Sequence, residues 1–379
     1  MMSDFSNIGS DHEFEDVLPE HKQNEISELS KRGYQLLKES LIDEAEECFR
    51  QILEVDPVNN YALVGLGDGE RKKGHYRDAI KFYQQCLEHH EGNNYALFGL
   101  ADCYKALRQF NKAIRIWEQY LKHDDSNVTV LTRVADAYRK VRDFRRSREV
   151  YQRVLEMEKD NPYALIGLGH LHYDFREYEE AMKYWERMYE IKGENVDIRV
   201  LTSLGNCHRK MKTFEKGIDY FDKALELEPN NFYALFGMAD CYRGMNKQEK
   251  SLEYWNRILR RDPNNKVILT RAGDAYRIMG DYDNAEEYYR KALNIEFDVY
   301  AILGLALINK ARGKYADAVE SLFGLLKNDP KNHRLYTEIA ECYVQLGERQ
   351  KAIDTLTQFQ RLGIRNTFVS SMLSELRQE

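Results

Sequence analysis

Apolar residues recur along most of this chain at i, i+3, i+4 and i+7, in stretches of about a dozen residues separated by short polar breaks. That spacing predicts amphipathic helices, each with one buried face. The stretches are copies of one another. NNYALVGLGD begins at Asn59, NNYALFGLAD at Asn93, NPYALIGLGH at Asn161 and NFYALFGMAD at Asn231, in steps of 34, 68 and 70 residues. Aligned on this period, ten copies cover residues 26–59, 60–93, 94–127, 128–161, 162–195, 198–231, 232–265, 266–298, 299–332 and 333–366. Val196 and Asp197 are inserted between the fifth and the sixth, and the eighth is one residue short.

Two positions of the unit are small throughout. The eighth is Gly33, Gly67, Ala101, Ala135, Gly169, Gly205, Ala239, Gly273, Ala306 and Ala340; the twentieth runs from Ala45 to Ala352 with only Ala, Ser or Gly. Antiparallel helices pack tightly only where neither carries a bulky side chain at the crossing point. Each unit therefore reads as a helix pair, with a turn at Gly74, Gly280, Gly313 and Gly347. Pro57, Pro229, Pro263 and Pro330 stop the second helix, and Asn60, Asn94, Asn161 and Asn265 are expected as N-caps. Residues 367–379 place Phe368, Val369, Met372, Leu373 and Leu376 on one helical face, which suits a capping helix.

This pattern resembles the tetratricopeptide repeat. The resemblance implies an all-α fold: a right-handed α-solenoid superhelix whose first helices line a concave groove that takes peptides or partner proteins. One departure is position 27, small in the family but Ile52, Tyr120, Met188, Leu325 or Phe359 here; it leaves the superhelical pitch open. A longer period lies above the unit. LTRVADAYRK from Leu131 and LTRAGDAYRI from Leu269 are alike, and Trp117, Trp185 and Trp255 alternate with Tyr151, Phe221 and Tyr289 at position 24. The chain reads as duplicated pairs of units.

Length and composition fit this reading. At 379 residues the chain exceeds the ~250–300 at which a single core stops growing. Six Pro is few where the ordinary ~5% would give roughly 19. Residues 1–25 hold seven acids and one base, a net −6 of the whole chain's −7. They are expected to form an acidic, disordered leader, or a short docking motif around Phe14, Val17 and Leu18. The repeats are then close to neutral, without the basic footprint of a nucleic-acid binder. No apolar run reaches membrane-spanning length and the start lacks a signal-peptide pattern, so a cytoplasmic protein is expected.

No motif for catalysis stands out. GLGDG at Gly65–Gly69 falls at the close-packing positions of a helix, not in a phosphate loop. Four of six Cys (Cys103, Cys207, Cys241, Cys342) share the tenth position, where a small buried residue belongs, so thiols rather than metal ligands are expected. No enzyme, metal or cofactor is predicted.

The resemblance places positions 2, 5, 9 and 12 of each first helix on the groove. Position 9 reads Asp68, Asp102, Asp136, His170, Asn206, Asp240, Asp274, and position 12 reads Arg71, Lys105, Arg139, Tyr173, Arg209, Arg243, Arg277. Acid and base stand i, i+3 on one face, either as self-satisfied surface pairs or as a recognition row. Tyr95 with Phe98, Tyr163 with Ile166 and Tyr233 with Phe236 occupy positions 2 and 5 of alternate units; Thr132 stands at position 5 between them. Arg133 and Arg271 add charge at position 6. His170 and Tyr173 interrupt the rows just before the insertion, where a kink dividing the groove is expected.

The implied function is a non-enzymatic scaffold or adaptor that holds a peptide segment or partner protein in the groove. The alternative is an accessory subunit of an enzyme, secretion or envelope-assembly complex with catalysis on another chain. Co-chaperones of the family grip a C-terminal carboxylate with a Lys/Asn clamp. Only Asn206 and Arg271 match it, with Thr202, Gly237 and Val267 at other clamp positions, which argues against a heat-shock-protein tail.

Overall fold

The computed structural model describes residues 19–378. The leader expected in residues 1–25 lies outside them up to residue 18. From Glu20 the chain is already helical, earlier than the repeat alignment suggests. Pro19 accepts from the Lys22 and Gln23 amides, Glu20 suits the positive helix end, and Ile26 and Leu29 pack against the core around Phe49.

The described residues form twenty-one α-helices and no strand. They fall into two compact units, one ending at Phe175 and the other beginning at Arg176, at the turn inside the fifth repeat. The first holds α1 (Glu20–Lys38), α2 (Ile42–Val55), α3 (Asn60–Lys73), α4 (Tyr76–His89), α5 (Asn94–Ala106), α6 (Phe110–Tyr120), α7 (Val128–Lys140), α8 (Phe144–Met157) and α9 (Pro162–Asp174). The second begins with α10 (Tyr178–Lys192), α11 (Ile198–Lys210), α12 (Phe214–Leu227), α13 (Phe232–Gly244), α14 (Gln248–Leu259) and α15 (Lys266–Ile278). It continues with α16 (Tyr282–Ile295), α17 (Val299–Ala311), α18 (Tyr315–Leu326), α19 (His333–Gln345), α20 (Arg349–Arg361) and α21 (Thr367–Gln378). The insertion is absorbed by a 3-10 turn at Gly193–Asn195, after which Asp197 caps α11 by accepting from the Arg199 amide at 2.8 Å.

Within each compact unit every helix packs on the next, so the chain is an all-α solenoid, buried repeat by repeat with no central core. The small positions meet where expected. Ser147 Oγ donates to the Ala135 carbonyl at 2.8 Å, Ser251 does the same to Ala239, and a Cβ on Gly217 would lie 3.1 Å from the Gly205 carbonyl oxygen. The caps are shifted by one residue at two expected sites. Asn59 and Asn93, not Asn60 and Asn94, accept from the third helical amide, at 3.1 and 2.9 Å; Asn161 and Asn265 cap as expected.

The mid-unit turn takes a left-handed residue in every repeat, not only where glycine marks it. Gly74, Gly280, Gly313 and Gly347 adopt it, and so do Ser40, Arg108, Arg142, Arg176, Lys212 and Asn246, with φ from 58 to 67°. A Cβ there crowds the neighbouring carbonyl. Replacing Arg108 and Lys212 together by glycine is expected to raise stability by about 1 kcal/mol, net of the extra unfolded-state freedom of glycine. An unchanged or lowered midpoint in urea unfolding would contradict this.

In the first eight repeats position 24 is aromatic and fills the layer, with Leu322 and Leu356 in its place in the last two, and its partners are of more than one kind. Phe49, Tyr83, Tyr151, Phe221 and Tyr289 each lie under a glycine of the next first helix. A Cβ on Gly65, Gly99, Gly167, Gly237 or Gly304 would sit only 2.2–2.4 Å from the respective ring. At these junctions first helices pack on one another: α1 on α3, α3 on α5, α7 on α9, α11 on α13, α15 on α17. Where position 24 is Trp117 or Trp255, the next position 6 is Arg133 or Arg271, and α5–α7 and α13–α15 approach less closely.

All six Cys are free and buried, and burial pushes the thiols of Cys103, Cys207 and Cys241 up to about 12. At the end of the chain, α21 packs on α20 and α19 through Val369, Leu373 and Leu376. Arg349 ties it down by donating to the Leu376 carbonyl at 2.6 Å. Phe368, expected on the buried face, is 76% exposed, because the i, i+4, i+7 stripe is set by Val369.

Candidate ligand groove

The first-helix face is built from one repeated unit of structure. Tyr83 and Tyr289, at position 24 of the second helix, each thread a ring between two first helices and deliver the hydroxyl to the Asp at position 9. Tyr83 donates to Asp68 Oδ1 at 2.8 Å and Tyr289 to Asp274 Oδ1 at 2.7 Å. The Arg at position 12 closes the arrangement: Arg71 Nη2 to Asp68 at 2.8 Å with Nε to Tyr83 at 3.2 Å, and Arg277 Nε to Tyr289 at 3.3 Å. Burial, then the neighbouring Asp68, drives the Tyr83 hydroxyl far above its usual range, so it stays a donor.

Trp at position 24 has no such hydroxyl, and the buried Nε1 of Trp117 and of Trp255 has no partner. There the Asp gains a partner from the next repeat. Arg133 Nη1 reaches Asp102 at 2.5 Å and Arg271 Nη1 reaches Asp240 at 2.9 Å. These two guanidiniums also lie over Phe98 at 4.8 Å and Phe236 at 5.0 Å. Arg133 and Arg271 thus do more than add charge.

The i, i+3 pairs expected from the sequence are in place for Asp68–Arg71, Asp136–Arg139, Asp240–Arg243 and Asp274–Arg277, and as a hydrogen bond from Arg209 to Asn206 at 3.1 Å. Asp102 is the exception: its partner is Arg133, 31 residues on, with Lys105 half-buried nearby in sequence. Arg139 also pairs with Asp174, a residue the sequence reading passed over. Burial, then the facing Arg139, holds His170 below its usual value; Tyr173 is half-buried beside it on α9. Thr132 Oγ1 is turned to its own helix, donating to the Thr129 carbonyl at 2.9 Å.

The aromatic positions are open. Tyr95, Tyr163 and Tyr233 are 78, 73 and 68% exposed, and Tyr61 and Tyr300, which sequence reasoning did not select, share both their position and their exposure. The same position 2 carries the tyrosine each time, and that was the clue available in the sequence. In the first compact unit Tyr34, Tyr61, Val64, Asp68 and Tyr95 line a cleft of ≈ 570 Å³. A larger cleft, ≈ 830 Å³, opens on the second-helix side at Asn256, Leu259, Tyr288 and Ile295. No carboxylate lines it, and its Tyr288 hydroxyl is already bonded to Asn256. The first-helix face is the one with organised chemistry. No group of His, Cys, Asp and Glu able to hold a metal occurs among the described residues, and none of the described helices is long and apolar enough to cross a membrane.

Paired helices, small residues at each crossing and this repeated face define a tetratricopeptide-repeat protein. The family model described as tetratricopeptide repeat protein 21 N-terminal ARM repeat matches residues 71–286, more than half of the chain, and the chain belongs to that family. A tetratricopeptide repeat model also matches residues 310–359. Among curated proteins none matches. Similar solved structures include the MamA protein, 23% identical with a TM-score of 0.41 over 45% of this chain and 92% of that one. Yeast Tom70 is 14% identical with a TM-score of 0.43 over 94% of this chain and 96% of that one.

Proposed function

We propose that this chain is a non-enzymatic, cytoplasmic scaffold whose first helices hold a segment of a partner protein. The observation that carries the reading is the tyrosine at position 2, repeated and largely exposed, beside rows of mutually bonded Asp and Arg. Tyrosine and arginine are enriched in interaction hot spots, and exposed aromatics recurring at one position differ from apolar residues scattered singly. The ion pairs hold the arginines in fixed geometry, which favours selectivity over raw affinity. The residues proposed to contact the partner are those of the first-helix face from Tyr95 to Arg277 described above. An accessory subunit, with catalysis on another chain, would use the same face.

The test is selection from a displayed random-peptide library on the full chain. Selected peptides should bind the variant Tyr95→Ala/Tyr163→Ala/Tyr233→Ala at least about tenfold more weakly. Its unfolding midpoint should be unchanged, because the three side chains are exposed. Undiminished binding, or no peptide selected, would remove the reading.

A further inference from the structure

In the second compact unit the charges around Asp240 on the first-helix face do not balance locally. Asp240 is buried, its side chain 8% exposed, and it faces three guanidiniums. Arg209 Nη1 lies 2.6 Å from Oδ2; Arg243 Nη2 at 2.8 Å and Arg271 Nη1 at 2.9 Å both serve Oδ1. The next pair, Arg277 with Asp274, is neutral. Around Asp240, three arginines therefore stand against one carboxylate, a local excess of two positive charges; further along the same face Lys310 meets Glu338 and Glu341, a local excess of one negative charge.

One of the two excess charges traces to Asn206, the other to Arg271 at position 6. Position 9 of the sixth repeat is Asn206, where Asp68, Asp102, Asp136, Asp240 and Asp274 stand in others. Arg209 bonds Asn206 on its own helix and also reaches Asp240, which already has two partners. Burial, together with Arg243 and Arg209, pushes Arg271 below its usual value despite Asp240. A guanidinium has five N–H donors and a carboxylate about four acceptor sites, so three guanidiniums on one carboxylate keep donors to spare. In the first compact unit the balance tips the other way at the corresponding row, where Arg139 lies between Asp136 and Asp174.

Apolar surface adjoins the excess. Tyr233 is 68% and Val267 51% exposed, and Phe236 lies under Arg271. Arg243 is the most accessible of the three guanidiniums, at 43%.

We infer that the cluster formed by Arg209, Arg243 and Arg271 around Asp240 is the acceptor for an acidic peptide segment, one whose Asp or Glu side chains alternate with apolar or aromatic ones. The inference rests on the groove reading above and narrows it to one ligand chemistry. The peptide's carboxylates take the spare arginine donors as charge-assisted hydrogen bonds, and its apolar side chains cover Tyr233 and Val267.

The test uses the full chain and a fluorescein-labelled peptide alternating glutamate with phenylalanine, alongside its glutamine counterpart. The glutamate peptide should bind at least about tenfold tighter, and added salt should erase the difference. Asn206→Asp restores the residue found in other repeats and keeps an oxygen for Arg209. It should weaken the glutamate peptide about tenfold and leave the glutamine peptide and the unfolding midpoint unchanged. Arg243→Glu, which leaves Asp240 two partners, should weaken it about a hundredfold. Equal binding of the two peptides overturns the inference while leaving the groove reading intact. Glutamate-selective binding indifferent to both substitutions places the site elsewhere and also overturns it. A labelled oligonucleotide binding tighter than the peptide, and losing affinity in Arg243→Glu, would assign the cluster to nucleic acid instead.

Discussion

Replacing Gly237 with leucine is expected to lower stability by about 3 kcal/mol or more. Its Cβ alone would lie 2.2 Å from the Phe221 ring, and Phe221 is fully buried, so the ring cannot swing into solvent. Overpacking a filled core costs ~1–3 kcal/mol for a few methylenes, and here the α11–α13 contact must also open. Because each repeat leans only on its neighbours, unfolding should become broader and begin in the repeats around the substitution. Urea unfolding followed by helical circular dichroism measures this. Gly324→Ala is the control. It also lies inside a helix, but nothing stands within 4 Å of an added Cβ, so it should gain up to about 1 kcal/mol. Similar losses in both variants would mean that the ring-and-glycine contact is not what makes Gly237 necessary.

Asp240→Leu is the second large effect, with an expected loss of about 3–5 kcal/mol, the usual result of leaving a buried charge without its partner. Three guanidiniums would then face each other across an apolar side chain. Burial alone would raise the Asp240 carboxyl, but Arg243, Arg271 and Arg209 outweigh it and hold the group below its ordinary range. A carboxyl depressed by folding adds stability that is fully present above the unfolded value, about 3.9. That stability is lost as pH falls through the lower folded value. The wild-type chain should therefore lose stability below about pH 4, and Asp240→Leu should lose less over the same range. Parallel acid limbs in the two proteins would show that this carboxylate does not support the fold.

Much of this was legible from local spacing. Helical periodicity, the paired small positions and the repeat itself each depend on residues a few turns apart, so α1 to α21 follow from the sequence with little beyond it. Adjacent asparagines misplaced two caps, because Asn59 and Asn60 are equally able to accept and only the helix axis decides between them. The turn at Arg108 was silent, since packing of the two helices, not local preference, forces its positive φ. The i, i+3 ion pairs were legible for the same reason as the helices. The partner of Asp102 was not: Arg133 lies a full repeat away. Nor was the hydroxyl of Tyr83, which reaches the first-helix face from the opposite helix. The correlated clue was there, with Trp117 and Trp255 followed by Arg133 and Arg271, and Tyr83 and Tyr289 followed by glycine. Its meaning depended on knowing that position 24 and the next position 6 touch.

That alternation constrains how such a chain can grow or shrink. The tyrosine junctions have glycine above them; the tryptophan junctions at Trp117 and Trp255 are built with arginine, while Trp185 is followed by Ser203. Deleting the single repeat 94–127 would bring Tyr83 under Arg133, a long side chain where no Cβ fits. Deleting repeat 128–161 would set Trp117 against Gly167 and leave Asp102 without its guanidinium. Removing 94–161 as a block would put Tyr83 under Gly167, the combination already present at Tyr151. Around the tryptophan junctions, viable changes in length therefore come in pairs of repeats, whereas repeat 60–93, which lies between two glycine junctions, can be lost singly and leave Phe49 under Gly99.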